Sequence, residues 1–153
     1  MLSAIFTKWL IFFLFCIALS GSSVAQLVQI GSPPNGTHVH ANDSISVEVV
    51  RPDSLSGSTE IAVVISFLSC SPYPSAICPP PTALLGSTLY NGPYNPQYPS
   101  PNPNKLQPHQ NFTVTLPASA PNGSAQLTVT HFSLIGAGPY ASTQYVNITL
   151  EVG

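Results

Sequence analysis

Apolar side chains recur at every second position through most of this chain, and after residue 26 no stretch repeats them at helical spacing. In Ser44 to Val50, Ile45, Val47 and Val49 fall on one phase and Ser46 and Glu48 on the other. Asn111 to Leu116 groups Phe112, Val114 and Leu116, and Gln144 to Val152 groups Val146, Ile148, Leu150 and Val152. Successive side chains of a strand point to opposite faces, so this pattern describes strands with one face in a core. Thr59 to Leu68 is apolar on both phases (IAVVISFL), as a central strand covered on both sides requires. Leu27 to Ile30, Leu84 to Tyr90 and Ala125 to Leu134 complete the set, and Pro33-Pro34-Asn35-Gly36 and Pro121-Asn122-Gly123 supply turns. Seven to eight short strands between Gly, Pro and Asn turns predict an all-β chain, an immunoglobulin-like antiparallel β-sandwich. The single tryptophan, Trp9, precedes all the strands, so the Cys and Trp signature of antibody domains is absent and only the architecture is inferred.

Residues 71 to 110 interrupt the pattern as a Pro/Tyr/Asn-rich insertion. Eleven of the 17 prolines lie there, with Tyr73, Tyr90, Tyr94 and Tyr98. Proline donates no ladder hydrogen bond, so NGPYNPQYPSPNPN (91 to 104) is excluded from a sheet interior. Tyrosine offers a flat apolar face and a hydroxyl, which suits stacking on sugar rings, and makes Tyr90, Tyr94 and Tyr98 the candidate binding residues. Packing as a lid over the sheet edge is the competing role for the same rings.

Before the first strand, Lys8 is followed by an apolar run, Trp9 to Leu19, and by small residues ending Ser23-Val24-Ala25. Eleven apolar residues are too few for a bilayer, which needs about 20. A basic flank, a run of this length and a small-x-small exit predict a cleaved signal peptide over 1 to 25. A single domain, 26 to 153, starts at Gln26. The expected localisation is secreted, extracellular or cell-wall associated, with no membrane contact once the leader is removed. The C-terminal run carries no apolar anchor or retention signal.

Charged residues make up 5% of the chain, against about a quarter in an ordinary soluble protein. Beyond Lys8 the basic residues are Arg51 and Lys105 alone, which excludes nucleic acid and anionic membrane surfaces as partners. Solubility must come from elsewhere, and N-x-[ST] sequons at Asn35, Asn42, Asn111, Asn122 and Asn147 provide a source. Five exceed the roughly two matches that this composition gives by chance. N-glycosylation is the expected reading. Cys16 leaves with the leader, and in an oxidising compartment the remaining pair, Cys70 and Cys78, is expected to form a disulfide.

Catalytic patterns are scarce. No G-x-S-x-G elbow is present. A glycosidase would need two facing carboxylates. Glu48 and Glu151 fall on outward phases, and Asp43, Asp53 and Glu60 read as loop residues. His38 and His40, two residues apart, share one face of an extended segment and could offer two metal ligands, with His131 or His109 a third. A solvent-facing pair beside a glycosylated turn is the simpler account, and no cofactor is expected.

The segments GSPPNGTHVHANDSISVEV, RPDSLSGSTEIAVVI, LYNGPYNPQ and FTVTLPASAPNGSAQLTVTHFSLIGAG run through the mature chain. Through them it resembles small secreted proteins of mushroom-forming fungi, a resemblance that brings no activity with it. The opening P-x-x-G-T-x-V turn is also similar to the immunoglobulin-like domain of fungal cell-wall assembly proteins. LPASAPNGSAQLTVTHFSLIGA is similar to the late strands of fungal lytic polysaccharide monooxygenases, which hold copper with an N-terminal histidine and a second one near the end of this segment. Here Gln26 and Ile135 stand at those places and His131 lies four residues early, so the copper activity is not implied. The function expected is that of a non-catalytic extracellular protein binding cell-wall glycan or another protein. The alternatives are a metal-dependent oxidative enzyme and a secreted effector-like interaction protein.

Overall fold

The computed structural model describes residues 27–153, so the predicted leader and its cleavage site lie outside the described residues. Eight strands follow in order: β1 (Gln29–Ser32), β2 (Thr37–Val39), β3 (Ser44–Val50), β4 (Ser58–Ser69), β5 (Ser87–Pro93), β6 (His109–Thr115), β7 (Gly123–Ile135) and β8 (Tyr140–Val152). The only helical piece among the described residues is a 3-10 turn, Pro74–Ala76. The strands form a three-stranded sheet, β1-β3-β6, and a five-stranded sheet, β2-β8-β7-β4-β5. The class is all-β, as the alternation predicts.

Alternation fixes what lies between the sheets. Val47, Val49, Phe112 and Val114 of the small sheet meet Val63, Ile65, Leu127, Val129, Leu150 and Val152 of the large one, all buried. Each fully buried aliphatic side chain of this kind contributes about 1.5–3 kcal/mol, which makes this layer the main support of the fold.

Three features differ from the period-two reading. The β2 strand runs parallel to β8, pairing Thr37 to Val39 with Leu150 to Val152. This follows because the chain leaves the small sheet after β1, turns at Gly36 (φ +80°) and enters the edge of the other sheet. The fifth strand starts at Ser87 rather than Leu84. Gly86 has φ +77°, and a Cβ there would sit 2.3 Å from the Phe67 carbonyl oxygen, so the chain can run as a strand only beyond it. Finally, β5 extends into the proline-rich segment as far as Pro93. It tolerates proline because it is the edge of its sheet.

The proline-rich segment after β5 is laced to the small sheet. The Tyr94 hydroxyl donates to the Val49 carbonyl (3.1 Å), the Asn95 amide to Gln110 Oε1 (2.7 Å), and Gln97 and His109 exchange backbone hydrogen bonds. Upstream, Cys70 and Cys78 form a disulfide eight residues apart, at the end of β4.

Candidate functional site

Polar groups converge at one end of the sandwich. Arg51 follows β3 and is 8% exposed, Glu60 lies near the start of β4, and His131, in the middle of β7, is 1% exposed. The Glu60 Oε2 atom is hydrogen bonded to His131 Nε2. The other carboxylate oxygen accepts from Arg51 Nε (3.0 Å) and from Ser58 Oγ (2.6 Å). Arg51 also donates to Ser58 Oγ (2.7 Å), to Ser54 Oγ (3.3 Å) and to the Pro52 carbonyl. On its far side the imidazole Nδ1 meets Gln144 Oε1 (3.2 Å), which also accepts from the Val28 amide (3.2 Å). The Tyr94 ring closes the cluster edge-on to His131, 5.4 Å away.

Glu60 enters the core through a bulge. Its cross-strand partner is Ser133, while Ala62 pairs with Phe132, so Ile61 is the extra residue. An extra residue reverses the phase of everything before it. Counted back from buried Val63 without the bulge, Glu60 would face out; it lies on β4 and the bulge turns it inward, which corrects its reading as a loop residue. His131 carried a legible signal, since it shares the phase of Leu127 and Val129. Arg51 carried none beyond being one of the few cations.

Burial alone would push the Glu60 carboxyl up. The hydrogen bonds from His131, Ser58 and Arg51, with the charge of the imidazole, outweigh it and hold the carboxyl at about 2. Burial, and then the Glu60 charge, push the Tyr94 phenol up. Ser58 Oγ donates to a carboxylate held at about 2, a weak base, and accepts from the guanidinium, while both imidazole nitrogens are engaged. The arrangement clamps β3, β4, β7 and β8 together.

Above the clamp lies a cleft of about 230 Å³, walled by Pro52, Asp53, Ser54, Ser56 and Pro108, with Arg51 and Glu60 also lining it. A second groove, of about 370 Å³, shares Gly57 and Ser58 with it and runs to Leu134, Gly136 and Ala137. Asp53 ties the two loops at this end: its amide donates to Gln107 Oε1 (2.9 Å) and its carboxylate accepts from the Tyr98 hydroxyl. That bond raises the Tyr98 phenol above its ordinary value. The same loops expose Leu55 fully, and leave Tyr98 and Leu106 half exposed.

The structure separates the three tyrosines marked as binding residues. Tyr94 is 2% exposed and belongs to the core, so its ring has no face for a ligand. Tyr90 stacks on Phe112 at 4.6 Å and donates to the Pro93 carbonyl. Tyr90 stays partly buried, and Tyr98 is the most exposed of the three, at 54%. His38 on β2 and His40 just beyond it are exposed, His40 beside Asp43 at 3.4 Å, whereas His131 faces the core. The proposed His38, His40 and His131 ligand set is therefore not assembled. Among the described residues no three His, Cys, Asp or Glu side chains gather in a metal-binding arrangement. Asn35, Asn42, Asn111, Asn122 and Asn147 are all exposed.

Fold and site define a small two-sheet β-sandwich, braced at one end by a buried ion pair and imidazole beneath a loop-walled cleft. The sequence model of the Nis1 family matches residues 23–151, and the chain belongs to that family. No curated protein matches the chain.

Proposed function

We propose that the chain is a secreted, N-glycosylated, non-catalytic domain that binds an extracellular protein through the loop end of the sandwich. The leader ending at Ala25 supports export, and five exposed sequon asparagines support glycosylation. The observation that carries the binding reading is the grouping of exposed Leu55, Tyr98 and Leu106 on two loops joined through Asp53 around a cleft. Exposed apolar side chains on a braced loop end are what a protein interface uses as anchors. With Tyr90 and Tyr94 committed to packing, the proline-rich loop offers Tyr98 at this end of the sandwich and not the row of rings that a cell-wall glycan would need there, which favours the protein partner. The resemblance to secreted fungal proteins supports a partner on a cell surface or in the wall.

The test is binding of fluorescently labelled mature protein to fungal cells and to cells stripped with protease, alongside chitin, β-glucan and cellulose. Saturable binding that is lost on protease treatment and weakened at least tenfold in Leu55→Ser/Tyr98→Ala/Leu106→Ser is the expected result. Retention on a polysaccharide instead would transfer the reading to glycan. No retention anywhere removes the binding function.

A further inference from the structure

The outward face of the large sheet carries a feature that the loop end does not use. Alternation along β8 points Val146, Ile148 and Leu150 inward, so Tyr145, Asn147 and Thr149 project from the other side. Tyr145 is 43% exposed, and Asn147 is exposed beside it. Residues two apart on a strand stand about 6.6 Å from each other. A sugar ring attached to Asn147 Nδ2 therefore starts within one ring's breadth of the phenol. Phe132 lies diagonally across on β7, since it pairs with Thr143 while Tyr145 pairs with Thr130. Phe132 and Ile61 extend the apolar patch toward β4, at 36% and 47% exposure.

The edge of the sheet adds a second reason for a cover here. The side of β8 away from β7 pairs with β2 from Leu150 to Val152 and is met at Thr149 by the Gly36 amide and Asn35 Oδ1, so among the described residues the stretch through Tyr145 and Asn147 has no strand beyond it. An open edge beside apolar side chains invites pairing with another chain unless something bulky blocks it. The other sequons lack this combination. Two residues before Asn35, Asn42 and Asn122 stand Pro33, His40 and buried Ala120, and before Asn111 stands His109, whose ring is engaged with the Gln107 carbonyl.

We propose that Asn147 carries an N-linked glycan whose first N-acetylglucosamine lies on the ring of Tyr145, so that the chain's own sugar covers this apolar patch and the open edge of β8. The inference rests on export and glycosylation as read above, and names the site at which the sugar has a structural seat. Attachment joins Asn147 Nδ2 to the anomeric carbon of a lipid-diphosphate-linked oligosaccharide. The amide gives up one proton and the lipid diphosphate departs. The axial C–H groups of the sugar then meet the apolar face of the phenol, as aromatic rings favour. Thr149, the third sequon residue, flanks the asparagine on the same face.

The experiment is a thermodynamic cycle on protein secreted from a eukaryotic host: wild type, Tyr145→Ala, Asn147→Gln and the double variant, with Asn111→Gln as a glycan lost from a site without tyrosine. Peptide mass mapping first reports occupancy at each sequon. Calorimetry then compares melting temperatures with the glycans intact and after an endoglycosidase has cut them to one N-acetylglucosamine. Tyr145→Ala should lower the melting temperature by about 3 °C more in the Asn147-glycosylated background than in the Asn147→Gln background. The excess should survive trimming to one sugar, and Asn111→Gln should leave it intact. Nitration of Tyr145 should be slower at least threefold in the glycosylated form. Equal losses in both backgrounds with equal nitration rates overturn the seat, and a bare Asn147 overturns the proposal outright. Bare asparagines at all five sequons would overturn the parent reading as well, which separates the two failures.

Discussion

Glu60 is the one acidic side chain that the fold takes into its interior, and its charge is held there by three donors on three segments. The carboxyl sits at about 2 against an ordinary 4.5, so the folded state binds its proton more weakly than the unfolded chain does. The ionised form therefore stabilises the fold fully above about pH 4.5, and that contribution disappears as pH falls through 4.5 toward 2. The amount is on the order of 3 kcal/mol. Thermal melts between pH 7 and pH 2 should show a steep loss of stability across that window in the wild type and a shallower one in Glu60→Gln, which has no proton to gain. His131→Ala takes the principal donor from a carboxylate that stays buried, and leaves a cavity against Tyr94. Removing one partner of such a pair costs about 3–5 kcal/mol, to be read from the urea midpoint at neutral pH.

The strands whose alternation is unbroken, β3, β6 and β8, were legible from sequence because one buried face fixes their phase. Both faces of β4 were legible as apolar for the same reason in reverse: Leu68 and Ser66 on the outward side are nearly as buried as Ile65 and Phe67. Legibility failed where one residue changes the count. The bulge at Ile61 hid Glu60, the positive φ of Gly86 delayed β5, and the crossing between sheets after β1 concealed the parallel pairing of β2. The clamp was illegible for a further reason: its members are separated by up to 93 positions, from Arg51 to Gln144, and nothing local announces that they meet. The cystine, by contrast, was expected from two residues and their compartment. Its loop of eight positions leads from β4 toward the Gly86 turn. Cys70→Ser/Cys78→Ser frees that loop in the unfolded chain, and chain entropy assigns the bridge about 2 kcal/mol. Calorimetry of the double variant should show that loss, with the circular dichroism spectrum of a sheet protein unchanged.

At the scale of the molecule, the surface has few charges to keep copies apart. Charged residues are 5% of the chain, the net charge is -2, and Leu55, Ile77 and Tyr140 stand exposed alongside the patch of Ile61, Phe132 and Tyr145. Low net charge and open apolar surface favour association, so the glycosylated reading assigns solubility to sugars spread over both sheets and the turns between them. Trimming each glycan to a single N-acetylglucosamine removes the hydrophilic coat without altering charge. Release by an amidase would convert each occupied asparagine to aspartate and add one negative charge per site, a compensation that would mask the effect. The trimmed protein should begin to scatter light at a concentration several-fold below that of the intact glycoprotein, and at lower ammonium sulfate. Sodium chloride should change either threshold little, because there are few ion pairs or like charges for it to screen. Equal thresholds before and after trimming would mean that the polypeptide surface keeps itself in solution. The sugars would then have no colloidal role, and the five exposed sequons would need another explanation.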